Sequence, residues 1–359
     1  LARKRRELLG AATLAALGGL AAVPPNATET PRVQTAGSEL AAPLLTGSDS
    51  SAGRFARANP VIARDLPDPY VLDLSGTGEG PYVLTATGGT LGLWRSPDLL
   101  HWEATGASVL PDGRAPWSPD GARNWAPEIH RVNGRFVAYF TASAGRAAHR
   151  EDGLAIGVAV ADDALGPYHV AEEPLVGAGA YGVIDPTRFE DENGLAYLIW
   201  KTDGNCCGVR TRLLSQELTP DGTGFAPGSS PRVLLEDDLH WEGGVIEAPY
   251  MVRRGNQYFL FYSANSYHAP YVTSVARGAS PLGPFGKLGR PLLASSSRVQ
   301  GPGHGAVVAL GSEEVFVHHG WQGDRGRFVF VSPLRWEGEW PAIHDGTTPT
   351  LVSSQASGT

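Results

Sequence analysis

Three carboxylates each stand at the head of an aromatic or branched run beside a proline. They are Asp68 in LPDPYV, Asp185 in VIDPTRF and Glu247 in VIEAPYM. A carboxylate is rarely enclosed in a strand unless it is paired, hydrogen-bonded or at work. Crowded together, such groups push their proton affinities apart, so one acid stays protonated near neutral pH while another stays ionised. A protonated carboxyl can then give its proton to the leaving oxygen of a glycoside, and an ionised one can activate water or attack carbon. The same set could instead bind a hard metal such as calcium through oxygen, or only hydrogen-bond sugar hydroxyls. Two further polar residues stand in similar places: Glu128 in NWAPEI and His304 in GPGHG.

These five positions are scattered along the chain, so the fold must gather them. The prolines after or near them are evenly spaced. From Pro69 to Pro127 is 58 residues, to Pro186 another 59, to Pro249 another 63, and to Gly305 another 56. Each unit continues with a second strand (GPYVLTAT, GRFVAYFTAS, GLAYLIWKTD, NQYFLFYSAN, EEVFVHHGW) and a third (LGLWRS, LAIGVAVA, TRLLSQEL, YVTSVARG, RFVFVSPL). Turn signals such as VNG, DENG and RRGN separate the first two. A repeat of this length with several strands per unit predicts an all-β, five-bladed β-propeller over residues 58–346. The 46 glycines, 28 prolines and 31 aromatic residues fit many turns and strands better than helices. In a propeller the first strand of each blade lines the central channel. Asp68, Glu128, Asp185, Glu247 and His304 are therefore expected to converge at one end of the axis.

Each residue has a plainer reading beside this one. Asp-Pro is ordinary turn chemistry, and Asp65 rivals Asp68 as the base. Glu128 follows its proline where the aspartates precede theirs, so it reads as structural or substrate-positioning. His304 could be a satisfied core histidine, and His318 and His319 pack as readily as they touch substrate. Trp94, Trp125, Tyr262 and Tyr267 could stack on sugars or pack between blades.

Taken in order, DPYV, WAPEI, GVIDPTRFEDENGLAYLIWKTDGN, WEGGVIEAPYMVRRGNQYFLFYSANSY, SPLGPF and GPGHGAVV resemble glycoside hydrolase family 43. The resemblance implies a five-bladed propeller that inverts configuration, acting mostly on α-L-arabinofuranosides and β-D-xylosides. It implies Asp68 as general base, Glu247 as general acid, and Asp185 as the carboxylate that orients the acid and raises its proton affinity. It implies that His304 contacts a water cluster or a bound calcium under the sugar, with no cofactor otherwise required. Trp125 and Glu128 match residues near the sugar subsite. Arg327, in GRFVFV, loosely resembles a late arginine beside the base, with Arg325 its near neighbour. An inverting enzyme needs acid and base about 6.5–9.5 Å apart. Two other readings stay open: a sugar-binding propeller without catalysis, and a retaining fructosidase-like enzyme. Against the second, Arg64-Asp65 is followed by Leu66 where those relatives carry proline.

The net charge of -8 argues against nucleic acid or an acidic membrane as partner and fits a neutral polysaccharide such as plant cell wall. The basic start ARKRRELLG and the apolar run to Val23 read as an export signal over residues 1–27, with Arg5-Arg6 resembling a twin-arginine type. That predicts a secreted protein. Residues 28–57 read as a disordered linker, and 347–359 as a C-terminal tail. Cys206 and Cys207 are adjacent, which admits either a strained vicinal disulfide or two thiols.

Overall fold

The computed structural model describes residues 51–343, apart from 76–80, 146–152 and 269. The expected export signal, most of the expected linker and the C-terminal tail lie outside the described residues.

Five antiparallel four-stranded sheets follow one another along the chain. Blade 1 holds β1 (Tyr70–Asp73), β2 (Tyr82–Thr85), β3 (Gly92–Ser96) and β4 (Glu103–Ser108). Blade 2 holds β5 (Asn124–Val132), β6 (Arg135–Ser143), β7 (Leu154–Ala161) and β8 (His169–Val170). Blade 3 holds β9 (Val183–Glu190), β10 (Ala196–Thr202), β11 (Arg212–Glu217) and β12 (Arg232–Glu236). Blade 4 holds β13 (Ile246–Arg254), β14 (Gln257–Ala264), β15 (Val272–Gly278) and β16 (Gly286–Lys287). Blade 5 holds β17 (Gln300–Leu310), β18 (Glu313–Trp321), β19 (Arg327–Glu337) and β20 (Trp340–Ile343). This is the expected five-bladed propeller, with a fourth strand per blade that the sequence did not announce. Those outer strands are weakly patterned or short: β4 reads EATGAS and is mostly exposed, and β8 and β16 have two residues each.

The apolar residues of neighbouring blades meet in separate clusters. Tyr70, Leu72, Ile129 and Phe140 join blades 1 and 2. Val137, Tyr139, Leu198 and Trp200 join blades 2 and 3. Ile199, Leu213, Leu260 and Tyr262 join blades 3 and 4, and Phe261, Val275 and Phe316 join blades 4 and 5. Most are fully enclosed, which is why the inner strands read as nearly continuous apolar runs.

The last junction, between blades 5 and 1, closes the ring. Residues 59–66 run beside β19: Val61 donates to the Val329 carbonyl at 2.9 Å and Leu66 to the Arg327 carbonyl at 2.9 Å. Asn59 grips the backbone of Val331 from both sides, at 2.7 and 2.9 Å. Asp65, the rival for the base, accepts the Arg327 backbone amide at 2.7 Å and so belongs to this clasp. The linker reading is corrected here: Ser51–Ala58 form a helix, α1. Its Phe55 is 1% exposed and packs with Ile62, Val329 and Val331. This helix is short and polar overall, with Phe55 its one large apolar side chain, so it does not stand out from the Ser- and Gly-rich stretch before it.

Phe55→Ala should therefore lower the unfolding free energy by about 3 kcal/mol, the usual cost of emptying an enclosed aromatic site. Urea denaturation measures it; an unchanged midpoint would return residues 51–57 to the linker.

Candidate active site

The site rests on one backbone feature repeated five times. At the channel end of each first strand one residue has a left-handed backbone: Asp68 (φ 56°), Ala126 (φ 45°), Asp185 (φ 60°), Ala248 (φ 51°) and His304 (φ 48°). Each precedes a proline, or in blade 5 a glycine. In blades 2 to 5 the ladder with the second strand shifts register at this point. A left-handed residue other than glycine costs roughly 1–2 kcal/mol, so the surroundings must hold it.

They do so through the amides of these residues. Ala126 donates to Thr87 Oγ1 of blade 1 at 2.8 Å. Asp185 donates to Thr141 Oγ1 of blade 2 at 3.2 Å, and His304 to Ser263 Oγ of blade 4 at 2.9 Å. Asp68 donates to His319 Nδ1 of blade 5 at 3.1 Å. Each acceptor lies on the second strand of the preceding blade or, for Thr87, two residues beyond its end. The ring has one departure. The matching residue of blade 3 is Lys201, paired with Ile184 across β9 and β10, and an ammonium accepts nothing. The Ala248 amide instead donates to Asp185 Oδ2 at 2.9 Å.

This geometry brings Asp68, Asp185 and His304 to equivalent places on three blades. Glu247 lies one residue earlier on its strand, at the place Trp125 holds in blade 2. Glu128 lies two residues beyond the ring position of its own blade. It is enclosed with His130, Nε2 to Oε2 at 2.9 Å. Burial pushes the Glu128 carboxyl well above the usual range and pushes His130 down to about 3. Glu128 thus sits with His130, Tyr70 and Tyr250, and the Asp185 charge also raises its proton affinity. Trp125 is partly exposed, with the Arg123 guanidinium 5.1 Å from its ring centre. Tyr262 is fully enclosed and donates to Glu242 at 2.8 Å.

A guanidinium, two imidazoles and a hydroxyl surround the Asp68 carboxylate. Arg327 Nη1 is 3.2 Å from Oδ1, His304 Nδ1 3.3 Å and His319 Nδ1 3.1 Å, while Thr87 donates to Oδ2 at 2.6 Å. Burial raises the proton affinity of Asp68, but Arg327, His304 and His319 outweigh it and hold the carboxyl well below its ordinary range. Arg327 is itself held, its guanidinium 5.1 Å from the Tyr267 ring centre and 5.8 Å from that of Trp321. Arg325 lies over Phe328. Asp185 has the opposite balance. Burial raises it, and Glu247 and Asp68 add to this against His304 and Lys201, for a value of about 6.

Glu247 accepts from the Tyr271 hydroxyl at 2.8 Å and lies 3.1 Å from Lys201 Nζ. Tyr271 reaches it only because blade 5 carries glycine at the corresponding place. A Cβ on Gly303 would come within 2.4 Å of the Tyr271 ring. Tyr271 also lies flat against His319, with ring centres 5.6 Å apart. Sequence reasoning missed Lys201, Tyr271 and Thr87. Lys201 and Thr87 stand at the end of the second strand in their blades, and the repeat would have aligned them with Thr141, Ser263 and His319. Cys206 and Cys207 are exposed in the short helical turn Asn205–Cys207 that follows Lys201.

The calcium expectation meets a poor donor set. Calcium takes six to eight oxygens, whereas the nearest groups around Asp68 are a guanidinium and two imidazoles. Among the described residues no three His, Cys, Asp or Glu side chains gather as a metal cage.

A propeller whose channel mouth holds a strongly ionised aspartate, a second aspartate that titrates high and a hydrogen-bonded glutamate is built for acid–base chemistry on a bound substrate. A sequence model described as glycosyl hydrolases family 43 matches residues 57–341. The chain belongs to that family and is a glycoside hydrolase. It is 25% identical to the extracellular exo-alpha-(1->5)-L-arabinofuranosidase ArbA of Cellvibrio japonicus, over 81% of this chain and 90% of that one. It is 24% identical to a xylan 1,3-beta-xylosidase of a Vibrio species, over 82% of this chain and 58% of that one. Its fold superposes on a thermostable family-43 glycoside hydrolase with a TM-score of 0.67 at 28% identity, covering 77% of this chain and 92% of the other.

The high value of Asp185 has a stability consequence. An unfolded aspartate titrates near 3.9, so between about pH 4 and 6 the folded chain holds a proton that the unfolded chain has lost. Stability must fall as pH rises through that window, by about 3 kcal/mol in total. Asp185→Asn keeps an oxygen for the Ala248 amide and removes the titration. Its urea-unfolding free energy should fall less than the parent's between pH 4 and 8, by about that amount; parallel pH profiles would contradict the burial argument.

Proposed function

We infer that this chain is an exported, inverting glycosidase that releases pentose units from plant cell-wall polysaccharide or its oligomers. The linkage is α-L-arabinofuranosyl or β-D-xylosyl. The observation that carries the reading is the unequal treatment of the carboxylates. Asp68 is kept ionised by Arg327, His304 and His319, as a base that activates water must be. Glu247 is hydrogen-bonded through Tyr271, as a proton donor aimed at a leaving oxygen must be held. Asp185 grips the backbone beside Glu247 through the Ala248 amide. When ionised, it repels a charge on Glu247 and so favours the protonated acid.

In the proposed reaction the glycosidic bond lies between the two groups. Asp68 takes a proton from water as that water attacks the anomeric carbon from one face. Glu247 protonates the departing oxygen on the other, in a single displacement. His304 and Arg327 hold Asp68 from the sides, and Trp125 offers an apolar wall to the sugar. No cofactor is needed for this chemistry, and no step passes through calcium.

The arabinofuranosyl linkage is the first choice. The arabinofuranosidase relative is matched over 90% of its length, the xylosidase over 58%. Export is supported by the basic and apolar start of the sequence and by a relative named as extracellular.

The parent and its Glu247→Gln and Asp68→Asn variants should be compared on aryl α-L-arabinofuranoside, aryl β-D-xyloside, arabinan and xylan. The parent is expected to cleave at least one. Both variants should lose about a hundredfold or more on unactivated substrates. Proton NMR of the first-formed sugar should show the inverted anomer. Retention would favour the fructosidase-like mechanism, and binding of oligosaccharide without cleavage would favour the non-catalytic propeller.

A further inference from the structure

Lys201 is where the amide ring departs from its own rule. At the equivalent place the other blades carry Thr87, Thr141, Ser263 and His319, and each accepts an amide from the next blade. A hydroxyl in blade 3 would serve the Ala248 amide just as well. The chain carries instead a lysine that is 2% exposed, although a buried ammonium is costly unless fully partnered. It is fully partnered. Nζ lies 2.8 Å from Asp203 Oδ1, 3.0 Å from Asn205 Oδ1 and 3.1 Å from Glu247 Oε2. An ammonium has three N–H donors, so two are anchored in blade 3 and the third is aimed at Glu247. Burial works against its charge, but Glu247, Asp203 and Asp185 outweigh it, so the lysine stays protonated.

We propose that Lys201 is a positioning residue for the general acid: its ammonium, anchored by Asp203 and Asn205, orients the Glu247 carboxyl and receives the negative charge left there when the proton departs. The inference rests on the glycosidase reading above. A fixed cation beside a group that becomes anionic stabilises that charge without reorganisation. It also has a cost, because it favours loss of the proton from Glu247 before substrate is cleaved. The groups that set this balance come from every wall of the site. Asp185, Lys201 and Asp203 stand on blade 3, and Tyr271 on blade 4. His304, His319 and Arg327 stand on blade 5, with Asp68 on blade 1. Of these, Lys201 is the cation that lies directly against Glu247 among the described residues.

The test compares the parent with Lys201→Met, Lys201→Gln and Lys201→Arg. The substrates are a dinitrophenyl glycoside of the preferred pentose, whose leaving group needs no proton, and the matching unactivated oligosaccharide. In the neutral variants the basic limb of the kcat/KM profile should move up by about one pH unit, since an opposite charge has been removed from the acid. At the optimum kcat on the oligosaccharide should fall about tenfold or more with KM little changed, while the dinitrophenyl substrate is largely spared. Lys201→Arg should bring the limb back toward the parent. An unmoved limb with equal losses on both substrates would mean that Lys201 only supports the fold. Failure of both neutral variants to fold would overturn the assignment in the same way. A parent that hydrolyses neither substrate would instead sink the glycosidase reading, a distinct result.

Discussion

The whole site depends on turning five strands inward with a backbone that most side chains avoid. A left-handed residue at the head of each first strand re-aims its side chain down the channel mouth and breaks the ladder to the second strand. Such positions persist only where the surroundings over-determine them. Here the proline or glycine that follows, the amide hydrogen bond that the residue donates to the neighbouring blade and, in blades 2 to 5, the register shift all act on the same residue. The amide bonds also cross from blade to blade, so the strain of each blade is held by the one before it. A change in one second strand is therefore felt at the active residue of its neighbour, as the pairs Thr87–Ala126 and His319–Asp68 illustrate.

Charge is the second constraint, and it follows from the first. Converging strands enclose the aspartates: Asp68 is 7% exposed and Asp185 6%. Enclosure alone would protonate both. The chain separates them by supplying Arg327, His304 and His319 to one and much less net positive charge to the other. Arg327 can do this because it leaves β19 beside the clasp of residues 59–66, with Asp65 fixing its backbone and Tyr267 and Trp321 its guanidinium. Closing the ring and ionising Asp68 are thus the work of the same short stretch.

The sequence made the propeller legible through its proline spacing, because the residue before each proline is the one that must turn inward. It made Asp68 and Asp185 legible for the same reason, and His304 through its matching place in the repeat ahead of Gly305. Asking which polar residue stood nearest each proline was less reliable. It set Glu128 beside the other acids, although the ring position of that blade is Ala126 and Glu128 lies two residues deeper. The outer strands and α1 were hidden because short, exposed or sparsely apolar segments carry no period. Lys201 was hidden because it stands at the end of a second strand, away from the prolines that mark the first strands.

The alanines at positions 126 and 248 show how one backbone device serves different chemistry. Asp68 and Asp185 use the left-handed residue itself, so their short side chains stay close to the axis, where His304 acts on both. Blade 4 gives that place to Ala248 and moves its carboxyl one residue back, onto a longer side chain that meets Tyr271 and Lys201 at the wall between blades. In the proposed displacement the proton donor reaches an oxygen on the far side of the sugar from the water, so an acid and a base in those roles would not occupy equivalent places on equivalent strands. The offset of one residue, together with the extra methylene of glutamate, breaks the pseudo-symmetry of the propeller in the direction an asymmetric displacement needs. In blade 2 the same offset position carries Trp125, an apolar face where blade 4 has its acid, and the ring residue there is left to do no chemistry at all.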